Sequence, residues 1–377
     1  MEALGGHAPS MVILFATMGH DQAGLVRAVR EATDLAPLVG CSAEGILSRH
    51  GSEEQSHAVI GAGIASDEVT FRRFFVPGFN EDSAACGRTL AREILAEGKQ
   101  GGLLVLFPDG TSGNCRDLLA AIEEELPNGP TIVGGTAGDT LTFDRTCQYR
   151  DDVVASGGVS ALLIGGDVSA EIEVTHGCRL IGAERRVTRT DGGWLLEIDG
   201  QPAWDMFRGY LPEGASSLED MHVAHLLLAE WMPRTSQREP SFVVRVPIKL
   251  DPKRRALYFA AGIPTGARVQ LAIRDARAVC DHAREAATRL ASRRPDEAPV
   301  LVLQLDCAGR GAILFGDATT TELTRPVQEV FSHDVPWNGL HTYGEIAKVG
   351  DRTSFHNYTA VLCALYPPPP SARTRRS

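Results

Sequence analysis

The side chains able to do chemistry fall in three similar stretches: APLVGCSAEGIL at 36–47, GPTIVGGTAGDT at 129–140 and NGLHTYGEI at 338–346. In each, a short apolar run meets glycine and a small hydroxyl or thiol, and an acid follows almost at once. The hydroxyls of Ser42, Thr136 and Thr342 line up in the three copies, trailed by Glu44, Asp139 and Glu345. Arg310 leaves a strand in the sequence CAGRG, and its planar guanidinium suits a carboxylate. Cys41 and Cys307 sit at glycine-flanked strand ends where a side chain can face a cavity, and Tyr343 stands inside the third stretch. Together these nine residues, Cys41, Ser42, Thr136, Asp139, Cys307, Arg310, Thr342, Tyr343 and Glu345, describe a ligand-binding rim in which both signs of charge are available. The plainer alternative is also open: turns are polar because they are turns, Arg310 pairs with a neighbouring acid, and the cysteines are small core residues.

A catalytic mechanism does not assemble from the same residues. Gly110-Thr111-Ser112-Gly113 has the wrong spacing for a nucleophile elbow, and neither a P-loop nor an H-E-x-x-H helix occurs. His222 and His225 are spaced to share a helix face but lack further metal ligands. Gly61-Ala62-Gly63 misses the third glycine of a dinucleotide fingerprint and lies in a strand pattern. The expectation is binding without turnover, and no enzyme.

The elements that must position these residues repeat. MVILFAT at 11–17, GGLLVLFPDG at 101–110 and APVLVLQLDCAGRG at 298–311 read as buried strands, each followed by a helix-length segment. HAVIGAGIA at 57–65, SALLIGGDV at 160–168 and YTAVLCAL at 358–365 read as closing strands. The chain is three variations on a strand–helix–strand–strand unit, and the hydroxyls of the three turns are expected at equivalent places. Helices are expected over about 22–33, 81–97, behind an Asn114 cap, and from Asp275 to about Arg293. After 168 the texture turns to alternating, glycine-punctuated strands, which places a boundary near 170. Within that region 201–211 reads as a short helix, 219–231 as another, and FVVRVPIKL, ALYFAAGI and ARVQLAI as strands. The fold class is α/β, with helices packed on mixed sheets in two sub-domains, 10–170 and 171–366, and a disordered tail at 367–377.

A net charge of −11 argues against nucleic acid or an anionic membrane as partner. No apolar run is long enough to span a bilayer and the N-terminus is acidic, which points to a cytoplasmic protein. The eight cysteines include no C-x-x-C pair, so neither zinc knuckle nor disulfide framework is expected.

Taken together, VLVLQLDCAGRG, HTYGEI and FHNYTAVL resemble the closing signature of FIST proteins, while VGCSAEG and VGGTAGD resemble signatures of the FIST N-terminal domain. THGCRLIG and EIDGQPAWD resemble the start of the FIST C-terminal domain, and the likeness spans roughly 12–366. Two departures are Leu180 where proline is expected, and His341 before the T-Y-G-E turn. The resemblance implies a sensory module of signal transduction that takes a small ligand, with amino acids the proposed class, and acts beside a partner such as a histidine kinase. It implies no cofactor of necessity; some relatives bind haem as nitric-oxide sensors, for which His20, His176, His341 and His356 are the candidate ligands here. With the first strand at about residue 11, no room is expected for an F-box.

Overall fold

The computed structural model describes residues 4, 6–54, 57–98, 101–166, 169–214, 216–223, 225–232 and 242–367. The predicted tail lies almost wholly outside these residues. Three opening strands, Met11–Thr17, Leu103–Pro108 and Leu301–Cys307, are buried along their whole length, as continuous Val, Ile, Leu and Phe runs require. Each pairs in parallel with the next strand of its unit, Leu38–Ala43, Thr131–Gly135 and Trp337–Thr342 respectively. Each also pairs antiparallel with a closing strand, Val59–Ile64, Gly158–Gly165 and Ala360–Tyr366.

The register makes the units superposable residue by residue. Gly40, Gly134 and Gly339 lie opposite Leu14, Leu106 and Gln304. A Cβ on any of the three would meet the backbone oxygen of that partner, at 1.8, 2.3 and 2.4 Å. Only glycine lets the two backbones approach so closely.

The unit boundaries are crossed by a cyclic exchange. After its polar turn the chain does not stay in its own sheet: Gly45–Ser48 of the first unit pairs with Trp337–Thr342 of the third, Gln148–Arg150 of the second with Leu38–Ala43 of the first, and Glu345–Val349 of the third with Thr131–Gly135 of the second. The inner faces of the three sheets then close on one shared core that includes Ile13, Phe15, Val105, Phe107, Leu303 and Leu305. Phe15 and Phe107, at equivalent positions, meet edge to face at 5.3 Å.

Helices cover the outer faces. Gln22–Ala32, Ser83–Ala96, Cys115–Glu125 and Ala276–Ser292 fall where the periodicity places them. Asn114 caps the third as predicted, its side chain accepting from the amides of Arg116 and Asp117. The equivalent stretch of the third unit is instead a run of short helical pieces from Ala308 to Gln328. Strands Thr70–Pro77 and Ser169–Thr175 extend the second and third sheets at their closing strands.

Between Ser169–Thr175 and helix Ala276–Ser292 the chain leaves to build a separate eight-stranded antiparallel sheet over 178–274, with its own core around Trp204, Phe207, Leu228 and Phe259. Here one expectation fails. The helix predicted over 219–231 is a short helix, Leu218–Val223, followed by a strand, Leu226–Trp231. Leu226–Ala229 are buried and lie between two partner strands, Phe242–Arg245 and Arg268–Arg274, so a short all-apolar run resolves as strand.

Candidate functional site

Counting from the equivalent glycines, the second residue onward is Ser42, Thr136 and His341, and the third is Ala43, Ala137 and Thr342. Thr342 is therefore not the counterpart of Ser42 and Thr136. It lies one residue further along the strand and so on the opposite, inner face, beside Gly135 and Leu305. Ser42 is fully buried at the seam between the first and second units. Its Oγ donates to the Gly138 carbonyl at 2.8 Å and accepts from the Cys147 amide at 2.9 Å. Cys41 faces the shared core, where burial and the nearby Cys147 push its thiol far up.

The seam between the second and third units holds Thr136, Asp139, Tyr343 and Glu345. Thr136 binds the Gly344 carbonyl through both its amide, at 2.8 Å, and its hydroxyl, at 3.4 Å. Asp139 accepts from the Tyr343 hydroxyl, the Thr142 hydroxyl and the amides of Thr142, Phe143, Asp144 and Arg145, so it fastens the loop that follows it. Burial works to raise its pKa, but these bonds outweigh burial and hold the carboxyl below the usual range. Glu345 is wholly enclosed; Thr342 donates to one oxygen and the Thr359 amide to the other at 3.2 Å. Burial pushes the Glu345 carboxyl far up, with the Asp306 charge in the same direction.

Cys307 and Arg310 form a junction rather than a rim. Arg310 has no exposed surface; Nε donates to Asp306 Oδ1 at 2.7 Å and Nη1 to the His176 carbonyl at 2.8 Å. Its Nη2 has no hydrogen-bond partner among the described residues. Thus the pairing of Arg310 with a neighbouring acid holds, with one donor left over. His176 stands immediately before the inserted sheet, and Arg274 at that sheet's far end donates to the Gly309 carbonyl and to His225. Both ends of the insertion therefore grip the turn 308–310. Burial also pushes the Cys307 thiol far up, with the Glu345 charge in the same direction.

The third seam, between the first and third units, gathers Glu44, Ser52, Glu54 and His341. His341 Nε2 lies 2.8 Å from Ser52 Oγ and 3.3 Å from Glu54 Oε1. Glu54 Oε2 accepts from the Ala312 amide at 2.7 Å, and Ser52 Oγ donates to Glu54 Oε1 at 2.8 Å. Burial first, then the charges of Glu54 and Asp139, push Glu44 up to about 8.

Residues 10–201 match the FIST N domain and residues 203–348 the FIST C domain. The chain belongs to the FIST family. An uncharacterised protein of Mycobacterium tuberculosis is 29% identical over 368 residues, covering 96% of this FIST chain and 92% of that protein. An uncharacterised protein of Mycobacterium bovis is 29% identical over 371 residues with the same coverage. One of Methanocaldococcus jannaschii is 25% identical over 186 residues, 47% of this chain and 35% of its own. Among solved structures, a chorismatase is similar with a TM-score of 0.34 and 10% identity, over 96% of this chain and 94% of that one. FIST domains are associated with sensing in signal transduction. Among the described residues no helix is long and apolar enough to cross a membrane.

The four histidines named for haem each have close neighbours in this FIST chain. His341 is buried beside Glu54, and His356 is buried with Nε2 at 3.2 Å from the Ala347 carbonyl. His176 spends Nδ1 on the Cys178 amide and packs on Phe242 at 4.8 Å, while His20 stands edge-on to His57 at 5.5 Å. Asp306, Ser52 and Glu54 escape the sequence reading. Asp306 lies inside a buried strand, and the GSEE context of the other two carries no motif.

Proposed function

We propose that this FIST protein is a sensor and not a catalyst: it takes a small carboxylate-bearing ligand, an amino acid in the first instance, at the junction around Arg310, and signals through a partner protein such as a histidine kinase. The observation that carries the reading is the buried guanidinium with a free Nη2, set on a turn held by both ends of the inserted sheet. A carboxylate is the natural partner for that donor. Because Arg310 is fully enclosed, a ligand can reach it only when the insertion shifts. Binding is then linked to a change of shape, which is what a sensor needs and a rigid pocket lacks.

The same groups serve catalysis poorly. The buried thiols are held protonated, and the hydroxyls of Ser42 and Thr342 are committed to structural hydrogen bonds. The test is a thermal-shift screen over the amino acids, with haem as a separate arm, followed by product analysis on each hit. A specific amino acid at a hundredfold excess over Kd stabilises the fold by about 2.7 kcal/mol and is recovered intact. Repeated conversion of a hit overturns the sensor reading, and a Soret band with no amino-acid response overturns the ligand class.

A further inference from the structure

We infer that the seam between the first and third units is a divalent transition-metal site, with Glu44, Glu54 and His341 as ligands and the Ser52 hydroxyl as a fourth donor. This stands apart from the sensor reading and uses none of its residues. One ligand atom from each of the three lies within 4.8 Å of the other two. Glu44 is 6% exposed and His341 not at all, yet Glu44 Oε2 and His341 Nδ1 have no hydrogen-bond partner among the described residues. Buried polar atoms left unpaired are costly, and an ion would satisfy the carboxylate.

Orientation is already supplied. The Ala312 amide holds Glu54 Oε2, which leaves Oε1 facing His341 Nε2 at 3.3 Å. Zinc bound at about 2.0–2.2 Å in a tetrahedron sets its ligands about 3.4 Å apart. The Glu54–His341 separation of 3.3 Å is already close to that value, Glu44 lies within 4.8 Å of both, and Ser52, 2.8 Å from each, must move outward. One imidazole, two carboxylates and a hydroxyl suit zinc or manganese, and the lack of a thiolate disfavours copper(I). Such an ion would tie the polar turn of the first unit to the parallel strand of the third, across the exchanged strand Gly45–Ser48.

The test is calorimetric titration of chelator-treated protein with Zn2+ and with Mn2+, alongside elemental analysis of protein as purified. One equivalent of one of these ions is expected per chain. Glu54→Gln and His341→Ala, each checked for native circular dichroism, should weaken binding about 100-fold or more, beyond the 10- to 100-fold typical of outer-shell changes. Glu44→Gln takes the place of His341→Ala if that variant does not fold. A double variant, His20→Ala with His57→Ala, should bind as the unaltered protein does. Absence of binding, or stoichiometry and affinity kept in Glu54→Gln, overturns the site, as does loss of binding in the His20/His57 variant alone.

Discussion

Replacing Ser42 by alanine tests whether the turns are built as staples between units. The hydroxyl is fully buried and serves two backbone groups at once, the Gly138 carbonyl at 2.8 Å and the Cys147 amide at 2.9 Å. Alanine fits the space but leaves both groups unpaired where water does not reach. At about 1–3 kcal/mol for each orphaned group, Ser42→Ala should cost roughly 2–6 kcal/mol. With about 2.1 cal/mol/K of unfolding entropy per residue over 377 residues, a loss of 4 kcal/mol lowers Tm by roughly 5 °C. Ser160→Ala is the internal comparison: Ser160 is equally buried but donates only to the Gly40 carbonyl, at 2.7 Å. With one group orphaned in place of two, it should cost about 1–3 kcal/mol, half as much as Ser42→Ala. Urea denaturation followed by fluorescence gives both numbers from the shift in midpoint at constant m. A Ser42→Ala loss below about 1 kcal/mol, or no larger than that of Ser160→Ala, would refute the staple argument.

Gly134→Ala places a Cβ 2.3 Å from the Leu106 carbonyl oxygen and should destabilise by about 1–3 kcal/mol in the same assay; a neutral result would undo the equivalence of the three glycines. Arg310→Ala strands the Asp306 carboxylate in the interior and should cost about 3–5 kcal/mol, part of it regained in the double variant with Asp306→Asn; a double-variant loss equal to the sum of the two single-variant losses would show that the pair is not coupled. The His356 imidazole is lowered to about 3 by burial and by the nearby charges of Arg245 and His176. A histidine depressed in the folded state contributes stability that is present above its unfolded value near 6.5 and is lost as pH falls toward 3. His356→Gln should therefore flatten the fall in Tm between pH 6.5 and about 4, and an unchanged profile would remove His356 from the acid response.

The three-unit plan was legible because buried opening strands announce themselves as unbroken apolar runs, and helices such as Cys115–Glu125 carry both period and cap. The exchange of strands was not. Gly45–Ser48 and Gln148–Arg150 are short, and nothing local in GILS or QYR says which sheet receives them. Aligning the turns on their hydroxyls matched Thr342 to Ser42; aligning them on glycine matches His341, because the close approach of backbones fixes register and the hydroxyl does not. Arg310 was legible as a guanidinium at a strand end, whereas its partner Asp306 was hidden inside the strand that carries it. Glu54 became visible only when the fold brought it beside a residue nearly three hundred positions away.

The exchange also sets a timetable for synthesis. Strand Gly45–Ser48 pairs on one side with Gly51–Glu53, made at once, and on the other with Asn338–His341, made much later. The gap from residue 48 to 338 is 290 residues, which at about 5–20 residues per second takes roughly 15–60 s to translate. For that time the hairpin Gly45–Ser48 with Gly51–Glu53 has one open edge, and the first unit's own sheet lacks Gln148–Arg150 until the second unit has emerged. Unpaired edges of this kind invite pairing between neighbouring nascent chains. The fold therefore places its demand for chaperoning on the first unit, and releases it only when the third unit's sheet closes.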